Sequence, residues 1–249
     1  MALQSKILKL PAPSDSDESL DTTLCDLRFR ALLPDDDWGR LPLATWRRFS
    51  KRLADGKTAT YVGEVVEVQL SRIGWWVAQL ARLIGGPLPT CGDTNVPSIV
   101  TVTEDAATGG QVWTRIYARR NGFPQVIHSS KRFSGPTGLE EYVGFGVSMA
   151  LRMLVDGQAL LFRSAGYFVQ VGRLRFALPG FLTPGVLTVT HSDSGSGEFR
   201  FTLEIIHPAL AGLFVNPRFS GRQRHDVNVS LDLDSHPNCD GRIRHILSP

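Results

Sequence analysis

Apolar side chains occupy every second position across residues 143–155, at Val143, Phe145, Val147, Met149, Leu151, Met153 and Val155. Between them stand Gly144, Gly146, Ser148, Ala150, Arg152 and Leu154. A period of two over that span predicts one long strand with one face on a core and the other small or solvated. The G-F-G at 144–146 falls inside the alternation, where glycine marks a bend or a close backbone approach. Further strands are predicted at 60–70, 98–103, 111–117 and 125–133, and alternating or aromatic runs continue after the long strand as far as residue 206. Turn chemistry separates them: E-D-A-A-T-G-G at 104–110, Asp156-Gly157 and Gly172-Arg173.

Helical spacing occurs twice. Leu43, Trp46, Phe49 and Leu53 form one stripe, with Arg47, Arg48, Lys51 and Arg52 on the remaining surface. In the second helix, at 73–84, Ile73, Trp76, Val77, Leu80, Leu83 and Ile84 share a face that suits a cavity plug or lid. About eight or nine strands in hairpin succession, with one or two N-terminal helices, give an α+β fold: a curved antiparallel sheet or incomplete β-barrel with those helices packed against it.

The pattern also sets expected boundaries. Residues 1–21 hold prolines and a polar, acidic run that buries little, so a disordered segment is expected. A single β-rich domain is expected over 22–215. Residues 216–249, rich in Arg, Asp and His, lack a core face apart from a short alternating run at 227–233 and read as a weakly ordered polar tail.

Composition narrows function mainly by exclusion. A net charge of +3 gives no reason to invoke nucleic acid. Three cysteines imply no disulfide framework, and no apolar run is long enough for a membrane span. A cytoplasmic location is the expectation. No P-loop, dinucleotide fingerprint or nucleophile elbow is present, so no cofactor is expected. His225, His236, Cys239 and His245 offer zinc-type ligands, but their spacing fits no familiar site, and no metal is expected.

The catalytic candidates are Glu141, Arg115 and His207. Glu140 and Glu141 are consecutive on a strand, so one of them faces inward. A buried carboxylate needs a partner, and Arg115, which shares a face with Trp113 and Tyr117, is the natural one. A structural ion pair is the plainer reading of the two. Trp76, Trp113, Phe145, Met149, Met153 and Phe168 are the candidate ligand-binding residues, from a supply of aromatic and thioether side chains that equally suits a core.

Four segments appear in a recognisable order: W-T-R-I-Y at 113–117, L-E-E-Y-V-G at 139–144, A-L-P-G-F-L-T-P at 177–184 and I-I-H-P-A-L-A-G at 205–212. Together they resemble an uncharacterised bacterial family, domain of unknown function 4166, over about residues 28–215. The resemblance implies a stand-alone protein, or a domain attached to a saccharopine-dehydrogenase-like reductase; it implies no mechanism. Two readings follow. The first is a non-enzymatic module that binds a hydrophobic small molecule between sheet and helix. The second is an accessory or catalytic domain working with a reductase partner on a lipid-like substrate.

Overall fold

A computed structural model describes residues 26–50, 53, 57–85, 88–195, 198–207 and 215–227. Three short helices come first: α1 (Leu27–Arg30), α2 (Asp35–Arg40) and α3 (Leu43–Ser50). Asp26 caps α1 by accepting from the Arg28 amide, and the Trp38 indole of α2 donates to the Arg30 carbonyl at 3.0 Å. Strand β1 (Thr58–Leu70) then leads into α4 (Arg72–Ala81), which ends in a 3-10 turn at Arg82–Ile84. Ser71 caps α4, its hydroxyl accepting from the Gly74 amide at 2.9 Å.

The remaining strands are β2 (Val96–Asp105), β3 (Gly110–Tyr117), β4 (Gln125–Arg132), β5 (Glu140–Gly144), β6 (Val147–Asp156) and β7 (Ala159–Val171). They are followed by β8 (Leu174–Ala177), β9 (Val186–Gly195), β10 (Glu198–Ile206) and β11 (Val215–Val227). All eleven belong to one antiparallel sheet in the order β6-β5-β4-β3-β2-β1-β11-β10-β9-β7-β8. The sheet curls until β7, which is paired with β9, also pairs with β6 from Val147↔Val169 to Asp156↔Ala159. The expected curved antiparallel sheet with N-terminal helices is therefore the architecture of the protein.

Two expectations are corrected. The single long strand at 143–155 is a hairpin, because Gly144, Phe145 and Gly146 all have positive φ and reverse the chain between β5 and β6. Glycine is required on both sides of that turn. A Cβ on Gly144 would lie 3.0 Å from the Ile84 carbonyl oxygen, and one on Gly146 would run into the Gln170 carbonyl. The alternation looks unbroken only because both glycines fall where polar residues belong. Phe145 sits at the tip and is 76% exposed.

The second correction concerns residues 216–227, expected to begin a polar tail. With Val215 they form β11, and the whole length of β1 pairs with it, from Thr58↔Val227 to Leu70↔Val215. On its other side Glu198↔Arg222 through Thr202↔Arg218 join it to β10. An interior position in a sheet is secured by main-chain hydrogen bonds on two sides, so it does not demand an apolar side-chain pattern. No strand edge is left open there. Residues 228–249, with His236, Cys239 and His245, lie outside the described residues, as do 1–25.

The N-terminal helices fill one end of the curled sheet. Phe29 and Phe49 meet edge to face with centroids 5.7 Å apart, and Phe49 lies 5.4 Å from Phe162 of β7 and 5.0 Å from His191 of β9. Phe29, Phe49, Phe162 and His191 are all fully buried.

Candidate functional site

The other end of the sheet is hollow. A cavity of about 760 Å³ lies between the sheet, α4 and the segment 178–184. Its wall is largely aliphatic: Val143 of β5, Val147 of β6, Val169 of β7, Leu187 of β9 and Ile205 of β10 all face it. Helix α4 contributes Val77, Leu80 and Ala81. Leu80, Phe181 and Leu182 line the cavity and are also 63%, 80% and 62% exposed, which places the mouth between α4 and the 3-10 turn Gly180–Leu182.

Helix α4 is rotated from the expected face. Gly74 and Ala78 are its buried residues, while Ile73, Trp76, Leu80 and Leu83 are exposed. Residues four apart on a helix stack on one side, and here that side carries two small side chains, so the helix covers the sheet without filling the space beneath it.

At the inner end of the cavity sits a polar cluster built by strand alternation. Arg115 of β3, Ser129 and Lys131 of β4 and Glu141 of β5 all point inward, and Lys131 is paired directly with Glu141 across the ladder. Lys131 Nζ lies 3.3 Å from Glu141 Oε2, and an Arg115 terminal nitrogen lies 3.6 Å from Glu141 Oε1. Arg115 also donates to the Ser129 hydroxyl at 3.0 Å. The expected Arg115–Glu141 pairing is thus present, with Lys131 as a nearer partner that sequence reasoning missed. The missed signal was the period of two through Ile127, Ser129 and Lys131, which puts the lysine on the buried face. The carboxylate compensates the cost of burying it.

Electrostatics follow from this crowding. Burial alone would raise the Glu141 carboxyl, but the Lys131 and Arg115 charges and the hydrogen bonds from Ser129 and Lys131 bring it down to about 2. Burial lowers the Lys131 ammonium, with Glu141 opposing the shift and Arg115 adding to it. Burial likewise holds His191 well below its ordinary value, helped by the positive charges of Arg48, Lys131 and Arg115. Its Nδ1 has no hydrogen-bond partner. Arg48 of α3 is turned inward rather than solvated, its guanidinium 4.0 Å from the Phe199 ring centroid. Tyr167 remains a neutral phenol, raised to about 12 mainly by burial, and donates to the Gly185 carbonyl at 2.9 Å.

Glu141, Arg115 and His207 all line this one cavity. Glu140 faces the other side of the sheet, where Arg175 binds its carboxylate. Of the six aromatic and methionine candidates, Met149 faces the cavity. Trp113 is buried beneath the Lys131 ammonium, 4.8 Å from its ring centroid, and Met153 belongs to the filled core. Trp76 and Phe145 point outward, and Phe168 lies under the Arg175 guanidinium at 4.1 Å. The cavity wall is instead drawn from aliphatic residues on six strands and from Tyr117, Tyr167, Phe181 and Phe201, a set no single sequence window displays.

A family described as Domain of unknown function (DUF4166) matches residues 41–216. The chain belongs to this family. The DUF4166 match spans α3 to the start of β11, and so includes every strand that lines the cavity. No curated protein and no solved structure matches the chain. Among the described residues, no helix is long and apolar enough to cross a membrane, and no cluster of three or more His, Cys, Asp and Glu side chains suits a metal ion.

Proposed function

We propose that this chain is a binding module for a hydrophobic small molecule, without catalytic activity of its own. The observation that carries the reading is the apolar cavity of about 760 Å³, with a mouth beside Leu80 and Phe181 and a few convergent polar groups at its inner end. Protein interiors are close-packed, with few voids larger than a water molecule, so a hollow of this size is not ordinary core irregularity. It falls within the roughly 300–1,000 Å³ range of pockets that enclose small ligands. Met149 and the aliphatic wall take the role first assigned to the aromatic set.

The alternative, a domain acting beside a reductase on a lipid-like substrate, draws on one observation: Glu141, Arg115 and His207 face the same space. It is the weaker reading. A carboxylate held at about 2 has little basicity at neutral pH, and both of its neighbours hold it in the ionised form.

Native mass spectrometry of the purified protein, followed by organic extraction, tests the first reading. The expected result is a bound hydrophobic compound, or uptake of the neutral fluorophore N-phenyl-1-naphthylamine by ligand-free protein. Val169→Trp, which fills the cavity from its wall, should abolish that uptake. A ligand-free spectrum together with no fluorophore uptake would overturn it.

A further inference from the structure

We infer that the ligand of this cavity is a long-chain monocarboxylic acid, its carboxylate on Arg115 at the inner end and its tail running toward the mouth between Leu80 and Phe181. The inference rests on the binding-module reading and adds to it the head group and the orientation.

Charge balance carries the argument. The buried cluster contains two cations, Arg115 and Lys131, and one anion, Glu141. All three residues are at most 8% exposed. The nearest remaining charged groups do not correct the excess. Arg48, which borders a small adjoining space together with Arg115 and His191, adds a further cation, and Asp193 acts on Arg48. Burying net charge is unfavourable unless a counter-charge arrives, and the open side of this cluster faces the cavity.

Geometry assigns the contact to Arg115. Lys131 stands nearer to Glu141, at 3.3 Å, and does not line the cavity. Arg115 stands at 3.6 Å from the same carboxylate, beyond ordinary hydrogen-bond length, and does line the cavity. One of its terminal nitrogens donates to Ser129. A guanidinium has five N–H donors in a planar fork, which leaves donors for a second acceptor of carboxylate shape. Tyr117, two residues along the same inward row, adds a phenol to the adjacent wall. One excess positive charge matches a singly charged head. The rest of the lining is largely aliphatic and suits a chain of methylene groups, with Leu80, Phe181 and Leu182 at the mouth.

The test displaces N-phenyl-1-naphthylamine from the wild-type protein at about pH 8, where a fatty acid is ionised. The competitors are dodecanoate, dodecan-1-ol and dodecylammonium, which share one tail. Dodecanoate should compete at least about tenfold more tightly than the alcohol, and dodecylammonium more weakly than either. In Arg115→Gln the acid should lose that advantage while the alcohol is unchanged. Equal competition by acid and alcohol in the wild type would overturn the acidic head and leave the binding module standing. Competition by none of the three, with the fluorophore bound, would overturn the long-chain ligand. Absence of fluorophore binding by protein whose native mass spectrum is ligand-free would remove the module itself. The wild-type comparison needs no variant, so it decides the matter even if Arg115→Gln fails to fold.

Discussion

The two ends of the sheet interior are lined by the same strands, yet one is packed solid and the other is hollow. The difference lies in what the helices insert. At one end α1 and α3 bring Phe29 and Phe49 against Phe162 and His191, four large rings joined by edge contacts and by the tilted Phe49–Phe162 pair. At the other, α4 turns Gly74 and Ala78 inward, borders the cavity with Val77 and Leu80, and leaves Ile73 and Trp76 exposed. A curled sheet of this size encloses more volume than its own side chains occupy, so the helices decide which part becomes core and which becomes cavity. The buried cluster of Arg115, Lys131 and Glu141 lies at the boundary. Lys131 is over the Trp113 and Phe162 rings on the filled side, and Arg115 and Glu141 face the open side.

The sharpest test of the contrast is Phe162→Ala, expected to cost about 3–5 kcal/mol because the surrounding rings cannot collapse onto the gap. Thermal or denaturant unfolding measures it. Glu141→Gln probes the boundary. It leaves a buried lysine and arginine without their carboxylate and should cost a comparable amount, on the order of 3–5 kcal/mol. Its pH dependence has a definite sign. The folded carboxyl titrates near 2 and the unfolded one near 4.5, so the stabilisation is complete above 4.5 and is lost as pH falls toward 2. The gap in Tm between wild type and variant should close over that window; a gap independent of pH would show that Glu141 acts through packing alone.

Gly146→Ala should cost about 1–3 kcal/mol, because its φ is +78° and the new methyl group would meet the Gln170 carbonyl. His191→Phe should change the slope of stability with pH more than its level. The folded His191 is held neutral, so the unfolded chain binds the extra proton and wild-type stability falls as pH drops below about 6.5. The variant should show a flatter Tm profile from there down to the onset of carboxyl titration. The smallest effect is expected from Val169→Ala on the cavity wall, about 1 kcal/mol or less, since the removed methyl groups already border open space. A loss at Val169 as large as that at Phe162 would erase the distinction between the two ends.

Much of this molecule could be read from the chain. Alternation located strands at 98–103, 111–117 and 125–133, and the structure places β2, β3 and β4 within two residues of those bounds at either end. Helical spacing found α3 and α4, and the cost of burying a carboxylate led to the Arg115–Glu141 pair. The misreadings have local physical causes. Period two continued through a chain reversal at Phe145 because side-chain alternation carries no information about backbone direction. The helical stripe of α4 was taken as the buried face because an amphipathic pattern does not say how close the helix must approach the sheet.

Sequence by itself determined which residues alternate, where the turns fall, and that a charged residue facing inward on β5 must find a partner, since these follow from local geometry and desolvation. Tertiary structure alone decided that β11 lies between β1 and β10, that Lys131 reaches Glu141, and that space remains beneath α4. Each of these depends on strand order and helix placement, which are set by contacts between residues far apart in the chain.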